Sequence, residues 1–209
     1  MSPIGRNNVF KSIARRVYNS ASTSYGVIRP EAFQTLREEL EQQDALREEI
    51  IKQSRDLLKD AKHAVYLVHQ REIRKAQDLL ASLKQRHATI SPNAVGAYQD
   101  ALEEYVEAAC FVAFVTQDDL PSHENLGVPA ETYLCGLSDL TGELTRRAVF
   151  AAIRKDKQEV ERIRAFIDAL QGELVQFHLR NNLLRKKYDS IKYNLKKVEE
   201  ILYDLELRA

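Results

Sequence analysis

The sequence contains few residues that break helices and few that cross-link small folds. Its 209 residues include seven Gly, five Pro, two Cys and no Trp. Leu, Ala, Glu, Lys, Arg and Gln fill the long stretches between the prolines without strict two-residue alternation, which favours helices over strands. With 44% apolar residues, the chain can bury a substantial core. We therefore predict an all-α protein with one principal domain.

Neither the net charge of the chain nor the length of its apolar runs indicates a nucleic-acid or membrane partner. Basic and acidic residues number 31 each, so a surface for nucleic acid would have to be local. The longest wholly apolar run, Ala108 to Val115, is far shorter than the ~20 residues that span a bilayer. Cys110 and Cys135 lie in apolar runs, where buried reduced thiols are favoured over a disulfide. We expect a cytoplasmic protein without a membrane partner.

The first thirty residues differ from the rest of the chain because they contain basic residues and no acid. The basic residues are Arg6, Lys11, Arg15, Arg16 and Arg29. This composition resembles a transit peptide, although a flexible basic arm is the favoured explanation. We assign residues 1–30 to such an arm and residues 31–209 to the helical domain.

Apolar spacing and turn residues predict the order of the helices. Pro30 opens an amphipathic helix that continues past Val68 and breaks near Gln70. A nearly all-apolar helix follows the Ser91-Pro92-Asn93 loop and is predicted to be central and buried. After the break, a second helix is predicted to continue to Lys84. The later predicted helices are 94–115, 130–153, 158–181 and 182–208, and a loop over 118–129 separates the first two of these.

Two acidic pairs stand at helical spacing within apolar stretches, Glu104 with Glu107 and Asp139 with Glu143. Residues three or four apart share a helix face, so both acids of a pair point the same way. Gly142, inside the second pair, is expected to permit close approach of a neighbouring helix. Carboxylates that face a core are costly unless a cation neutralises them, and oxygen ligands alone suit Mg²⁺ or Mn²⁺.

A plainer explanation of the same spacing remains open. The pattern E-x-x-E is common in helices, so Glu103 and Glu104 could lie on a solvated face and Asp139 could pair with Arg146 or Arg147. A di-iron site is disfavoured, because no His follows a Glu by three residues. Phosphate-binding loops, nucleophile elbows and dinucleotide fingerprints are not found in the sequence. Spacing alone leaves the metal site and the solvated acidic face as equal alternatives.

Basic residues supply candidate contacts to nucleic acid. Arg146, one turn after Glu143, is the basic residue best placed to contact a phosphate near the acids. His69 and Arg71, at the predicted break, are further candidates, although a capping or surface histidine is favoured for His69. Lys192 lies in a helix where basic residues alternate with tyrosines, a pattern that a solvated face explains as well. The other residues of that pattern are Arg185, Lys186, Lys187, Lys196, Lys197, Tyr188 and Tyr193.

Several motifs resemble the translin family. The stretch Leu184-Arg185-Lys186-Lys187-Tyr188-Asp189 and the later Tyr203-Asp204-Leu205 resemble the final helix of translin. Glu104-Tyr105-Val106-Glu107-Ala108 and Asp139-Leu140-Thr141-Gly142-Glu143-Leu144 resemble its catalytic relative, translin-associated factor X. The resemblance extends over residues 33–208 and leaves only the basic arm outside it.

This resemblance implies an all-α fold of about seven helices that assembles into a hollow homo-oligomer, an octamer, and binds nucleic acid inside. It implies a Mg²⁺-dependent endoribonuclease acting on single-stranded RNA or short duplexes, with Glu104, Glu107, Asp139 and Glu143 as the metal-holding carboxylates. Residues 93–101 contain no Lys, Arg or His where translin has a basic segment, so translin-style DNA binding is not expected. The alternatives are a non-catalytic translin-like nucleic-acid-binding protein and an all-α nucleoside triphosphate pyrophosphohydrolase.

Overall fold

The computed structural model describes residues 29–90, 96–179 and 183–207, and these ranges contain seven helices and no strand. This agrees with the predicted all-α fold. The expected arm over residues 1–30 lies almost entirely outside the described residues. The helices are α1 Pro30–His69, α2 Ile73–His87, α3 Ala97–Thr116, α4 His123–Leu126, α5 Ala130–Ile153, α6 Lys157–Leu174 and α7 Leu183–Leu207.

The chain divides into two compact units, Met1–Asp44 and Ala45–Ala209. In the first unit, the N-terminal part of α1 exposes Phe33, Leu36 and Leu40. The second unit holds the rest of α1, helices α2 to α7 and every candidate site residue. Within it, α1 buries one face, whose members recur at three- and four-residue spacing: Ser54, Leu57, Ala61, Ala64, Val65 and Val68.

The break between α1 and α2 is confirmed where the sequence predicts it. Arg71 adopts a left-handed backbone conformation with φ of 62°, and its N–H donates to the Val68 carbonyl at 3.0 Å. A non-glycine residue in this region is uncommon. The turn ends α1 at His69 and places that side chain at the helix terminus.

Helix α3 lies at the centre of the second unit, as predicted. Its residues Tyr105, Val106 and Phe111 are almost completely buried. α3 packs against α2 and α5, and α5 packs in turn against α6 and α7. The two helices that carry the acidic pairs are therefore direct neighbours.

The close approach between α3 and α5 occurs at Gly136, so the expectation that Gly142 provides it is wrong. A Cβ at Gly136 would lie 2.6 Å from the Val106 Cβ and 2.7 Å from the Glu103 carbonyl oxygen. The nearest atom to a Cβ at Gly142 is Asn194 Nδ2 at 3.9 Å, an ordinary contact. Only glycine at position 136 lets the two helices meet at this distance.

Two predicted boundaries also change. The loop over 118–129 contains the short helix α4, in which the Ser122 hydroxyl accepts a hydrogen bond from the Asn125 N–H at 3.2 Å. Helix α6 ends at Leu174 instead of residue 181, because Val175 and Phe177 are exposed and the buried face does not continue.

The prediction of buried reduced cysteines is confirmed at Cys110 and Cys135. No helix within the described ranges is long and apolar enough to cross a membrane.

Replacing Gly136 with Ala is expected to destabilise the fold by roughly 1–3 kcal/mol, because the new methyl group would overlap Val106 and the backbone of α3. The matched variant Gly142→Ala, on the same helix, is expected to stabilise it by roughly 0.5–1 kcal/mol, since alanine favours a helix. Urea unfolding of both variants measures the difference. Equal stabilities for the two variants would contradict the assigned helix crossing.

Candidate active site

The fold brings the four predicted acids to one place. Glu104 and Glu107 project from α3, and Asp139 and Glu143 project from α5, which packs against it. Glu104, Asp139 and Glu143 all act electrostatically on Glu107, and Asp139 also acts on Glu104. The four acids that the family resemblance implies as a set are therefore neighbours in the structure.

Glu107 is the most deeply buried of the four acids. Its residue is 7% exposed, and burial together with the three neighbouring carboxylates raises its pKa from 4.5 to about 8. Among the residues that the structure describes, no ion pair is found for Glu107. The acid cluster therefore has a deficit of positive charge at its centre, and a neutral Glu107 is favoured below pH 8.

His69 fixes one end of the cluster. Its Nε2 lies 2.5 Å from Glu143 Oε2, and this hydrogen bond lowers the pKa of Glu143 despite burial. The ring is packed against Phe111 with a centroid distance of 5.0 Å. The structure thus places His69 beside the acids, where it positions Glu143, instead of on the surface or at a cap.

Lys187, from the first turns of α7, holds the other end. Its ammonium donates to Glu103 Oε2 at 2.7 Å and also to Asp139 Oδ2. Burial lowers the pKa of Lys187, but these hydrogen bonds outweigh that effect, so the net shift is upward. Burial raises the pKa of Asp139, and Lys187 partly offsets this. Sequence reasoning missed this contact, since the partners are 84 and 48 residues apart in the chain.

Two exposed cations complete the surroundings of the cluster. Arg146 NH1 lies 3.6 Å from Glu143 Oε2, and Lys62 Nζ lies 3.3 Å from Glu104 Oε1. Their side chains are 57% and 60% exposed respectively, so both can turn toward a ligand in solvent. Arg146 is therefore located where the sequence predicts it, at the edge of the acids.

The alternative of a solvated acidic face is wrong in two particulars. Glu103 is buried, with a side chain only 4% exposed, and it pairs with Lys187. Asp139 pairs with Lys187 and not with Arg146 or Arg147, whereas Arg147 pairs with Glu159. Glu103 and Glu107 lie on the buried side of α3, where carboxylates need compensation.

The remaining candidates for nucleic-acid binding are not in contact with the cluster. The Lys192 ammonium pairs with Asp189 at 3.8 Å and lies 5.3 Å from the centroid of the Tyr188 ring. Both partners belong to its own helix. Arg71 is exposed on the turn after α1, where its backbone N–H donates to the Val68 carbonyl.

The donor chemistry of the cluster fits a hard divalent cation, because it offers carboxylate oxygens around a centre deficient in positive charge. The carboxylates of the cluster are not positioned to coordinate one metal ion together. Across the described part of the chain, no three His, Cys, Asp or Glu side chains are arranged to hold a metal ion. Lys187 and His69 instead occupy oxygens of Asp139 and Glu143. Binding of a cation would require these side chains to rotate.

The raised pKa of Glu107 predicts a pH-dependent stability for the metal-free protein. The folded state binds the Glu107 proton more tightly than the unfolded state, so folding stability falls as pH rises from about 4.5 to about 8. Glu107→Gln removes this fall. The variant should therefore exceed the parent by up to roughly 4 kcal/mol near pH 8, with the difference shrinking toward pH 4.5.

Denaturant unfolding in the presence of a chelator, repeated across this pH range, measures the effect. Glu161→Gln is the control, because Glu161 is an exposed acid on α6 that pairs with Lys157. Parallel stability curves for Glu107→Gln and the parent would show that Glu107 is not perturbed.

The described fold is an all-α protein with buried acids at the crossing of two central helices. The chain belongs to the Translin family, whose model matches residues 45–209. It is 35% identical to translin of Gallus gallus over 122 residues, covering 52% of this chain and 53% of that protein. The match thus spans about half the length of the curated translins. An uncharacterized protein of Methanocaldococcus jannaschii is 31% identical, with 71% of each chain covered. Translin-associated protein X of Mus musculus is 24% identical, covering 98% of this chain and 87% of that protein.

Solved structures share the same fold. The crystal structure of apo-NeC3PO superposes with a TM-score of 0.78 at 24% identity, covering 86% of this chain and 100% of that chain. An AfC3PO structure in complex with duplex RNA superposes with a TM-score of 0.74 at 22% identity, covering 85% and 97%. At these identities the superpositions establish the fold.

Proposed function

We propose that this protein is a Mg²⁺-dependent endoribonuclease that binds and cleaves RNA inside a homo-oligomeric shell. The observation that carries the proposal is the meeting of four carboxylates from the packed helices α3 and α5 around buried Glu107. The raised pKa of Glu107, about 8, supports it. Strongly perturbed acids of this kind, collected from two helices, are typical of sites that bind cations or transfer protons. Membership of the Translin family supports RNA as the ligand class, since a structural relative is a complex with duplex RNA.

Each residue of the cluster has a role in this proposal. Glu104, Glu107, Asp139 and Glu143 would hold the cation, and Mn²⁺ is an alternative to Mg²⁺. When bound, the ion would lower the pKa of a water ligand and neutralise charge on the phosphate. His69 orients Glu143 through the 2.5 Å hydrogen bond. Arg146, which is largely exposed beside Glu143, would contact a neighbouring phosphate and hold the backbone in place.

The reaction is hydrolysis of a phosphodiester bond. A water oxygen attacks phosphorus, the bond from phosphorus to the 3′-oxygen breaks, and the 3′-oxygen leaves as a hydroxyl. The products carry 5′-phosphate and 3′-hydroxyl ends. Cyclic phosphate products would instead require attack by the ribose 2′-hydroxyl and would contradict this mechanism.

Self-association into an octamer belongs to the same proposal. It is supported by the resemblance of α7 to the final helix of translin and by the apolar residues that the chain leaves exposed. Phe33, Leu36 and Leu40 on α1 and Ile153 on α5 are each more than half exposed, and protein interfaces commonly cover such residues. A mass measurement of the assembly tests this part separately.

The catalytic assignment predicts the behaviour of two near-isosteric variants. Glu107→Gln and Asp139→Asn are each expected to lower the rate of RNA cleavage by at least roughly 100-fold, since even a residue that supports a metal ligand contributes about 10–100-fold. The fold and the oligomer should persist, because each variant keeps the size of the original side chain. Labelled single-stranded and duplex RNA, incubated with Mg²⁺ or with chelator, provides the measurement.

Glu161→Gln is again the control, and it should cleave like the parent. If both site variants cleave RNA at the parental rate, the assignment of the acids is wrong. RNA retention without Mg²⁺-dependent shortening would indicate a non-catalytic nucleic-acid-binding protein. Release of pyrophosphate from free nucleoside triphosphates would indicate the pyrophosphohydrolase alternative.

A further inference from the structure

Lys187 is a half-buried cation beside the acid cluster, and it has no role in the proposed reaction. Its side chain is 20% exposed, compared with 60% for Lys62 and 57% for Arg146. Its ammonium contacts an acid on α3, Glu103, and an acid on α5, Asp139. The lysine is therefore at the point where three helices meet.

The charges around Lys187 explain why it is held there. Five carboxylates belong to the cluster, the four predicted acids and Glu103. The ammonium is the least exposed Lys or Arg cation that contacts any of them within the described residues. Without a metal ion, Lys187 supplies positive charge that half-buried Asp139 and buried Glu103 need.

A divalent cation and this ammonium compete for the same carboxylates. Asp139 Oδ2 is occupied by Lys187, so this oxygen is available to a metal only after the lysine turns away. If the lysine stayed, two positive centres a few ångströms apart would repel each other in a partly buried site. Glu103 gives the ammonium a second anchor, at 2.7 Å, that does not belong to the predicted ligand set.

We propose that Lys187 is an internal counter-cation that occupies Asp139 in the metal-free protein and is displaced from Asp139, while remaining on Glu103, when a divalent ion binds. The inference rests on the metal site proposed above. Lys187 is thus a positioning residue, and its contact with Asp139 sets the affinity of the site for the metal ion. The residue stabilises the empty site and weakens the binding of the metal.

Lys187→Gln tests this role, because glutamine keeps a hydrogen-bond donor and removes the charge. The metal-free variant should melt a few degrees below the parent, and its Kd for Mn²⁺ should be at least roughly tenfold lower. Lys187→Arg keeps the charge and should bind Mn²⁺ more weakly than Lys187→Gln. Lys186→Met, at the exposed neighbouring position, makes the same change in net charge and should bind like the parent.

Isothermal titration and the electron paramagnetic resonance signal of free Mn²⁺ measure the Kd without reference to catalysis. If the parent binds Mn²⁺ and Lys187→Gln, with a native circular dichroism spectrum, binds it no more tightly, the counter-cation role is wrong and the metal site stands. If only Lys187→Gln binds, the role is supported and the proposed Mg²⁺ enzyme is overturned. If neither binds, both proposals fail together.

A crystal structure of the parent protein with Mn²⁺ provides a second measurement that does not depend on a folded variant. The expected result is an anomalous peak beside Asp139, with the Lys187 ammonium beyond hydrogen-bond distance of Asp139 and still bonded to Glu103. A peak at the acids with the contact between Lys187 and Asp139 intact would overturn the inference.

Discussion

The placing of carboxylates on the buried side of α3 is the constraint on which the surrounding structure depends. Glu103 and Glu107 lie where a core helix normally carries apolar residues, and each ionised acid there needs a compensating group. The compensation comes from other helices: Lys187 of α7 binds Glu103, and Lys62 of α1 binds Glu104. Helices distant in sequence must therefore assemble around α3 before its acids are paired.

Stability alone does not account for this arrangement. Buried ion pairs often contribute little, because the free energy of desolvating the charges offsets their attraction, and apolar residues of the same size can be as stable. Glu107 adds a further penalty, since burial and three neighbouring acids raise its pKa to about 8. Close packing at Gly136 brings α5, with Asp139 and Glu143, against α3 and so creates this repulsion. Groups that are held at such a cost are better explained by function.

Much of the fold could be predicted from the sequence, because apolar period and breakers are local signals. These signals predicted the bounds of α5 and the break before α2 correctly. They extended α6 past Leu174, because apolar spacing does not show whether another helix packs against the next turn. The acids were found because they share helix faces. The pairing of Lys187 was not predicted, because a lysine that turns inward and one on a solvated face have the same sequence pattern. The close approach at Gly136 instead of Gly142 was not predicted either, because it depends on the position of a neighbouring helix.

The contact between Lys187 and Asp139 connects two motifs that resemble different members of the family. Lys187 belongs to the α7 motif that resembles translin, whereas Asp139 belongs to the motif that resembles translin-associated factor X. Because the ammonium touches Asp139 directly, these motifs are not independent in this chain. A change of charge at position 187 alters the electrostatic balance of the acids, and loss of Glu103 or Asp139 leaves a half-buried ammonium with one partner fewer. In the proposed metal site, the affinity for a cation would thus depend on α7 as well as on the two helices that carry the carboxylates.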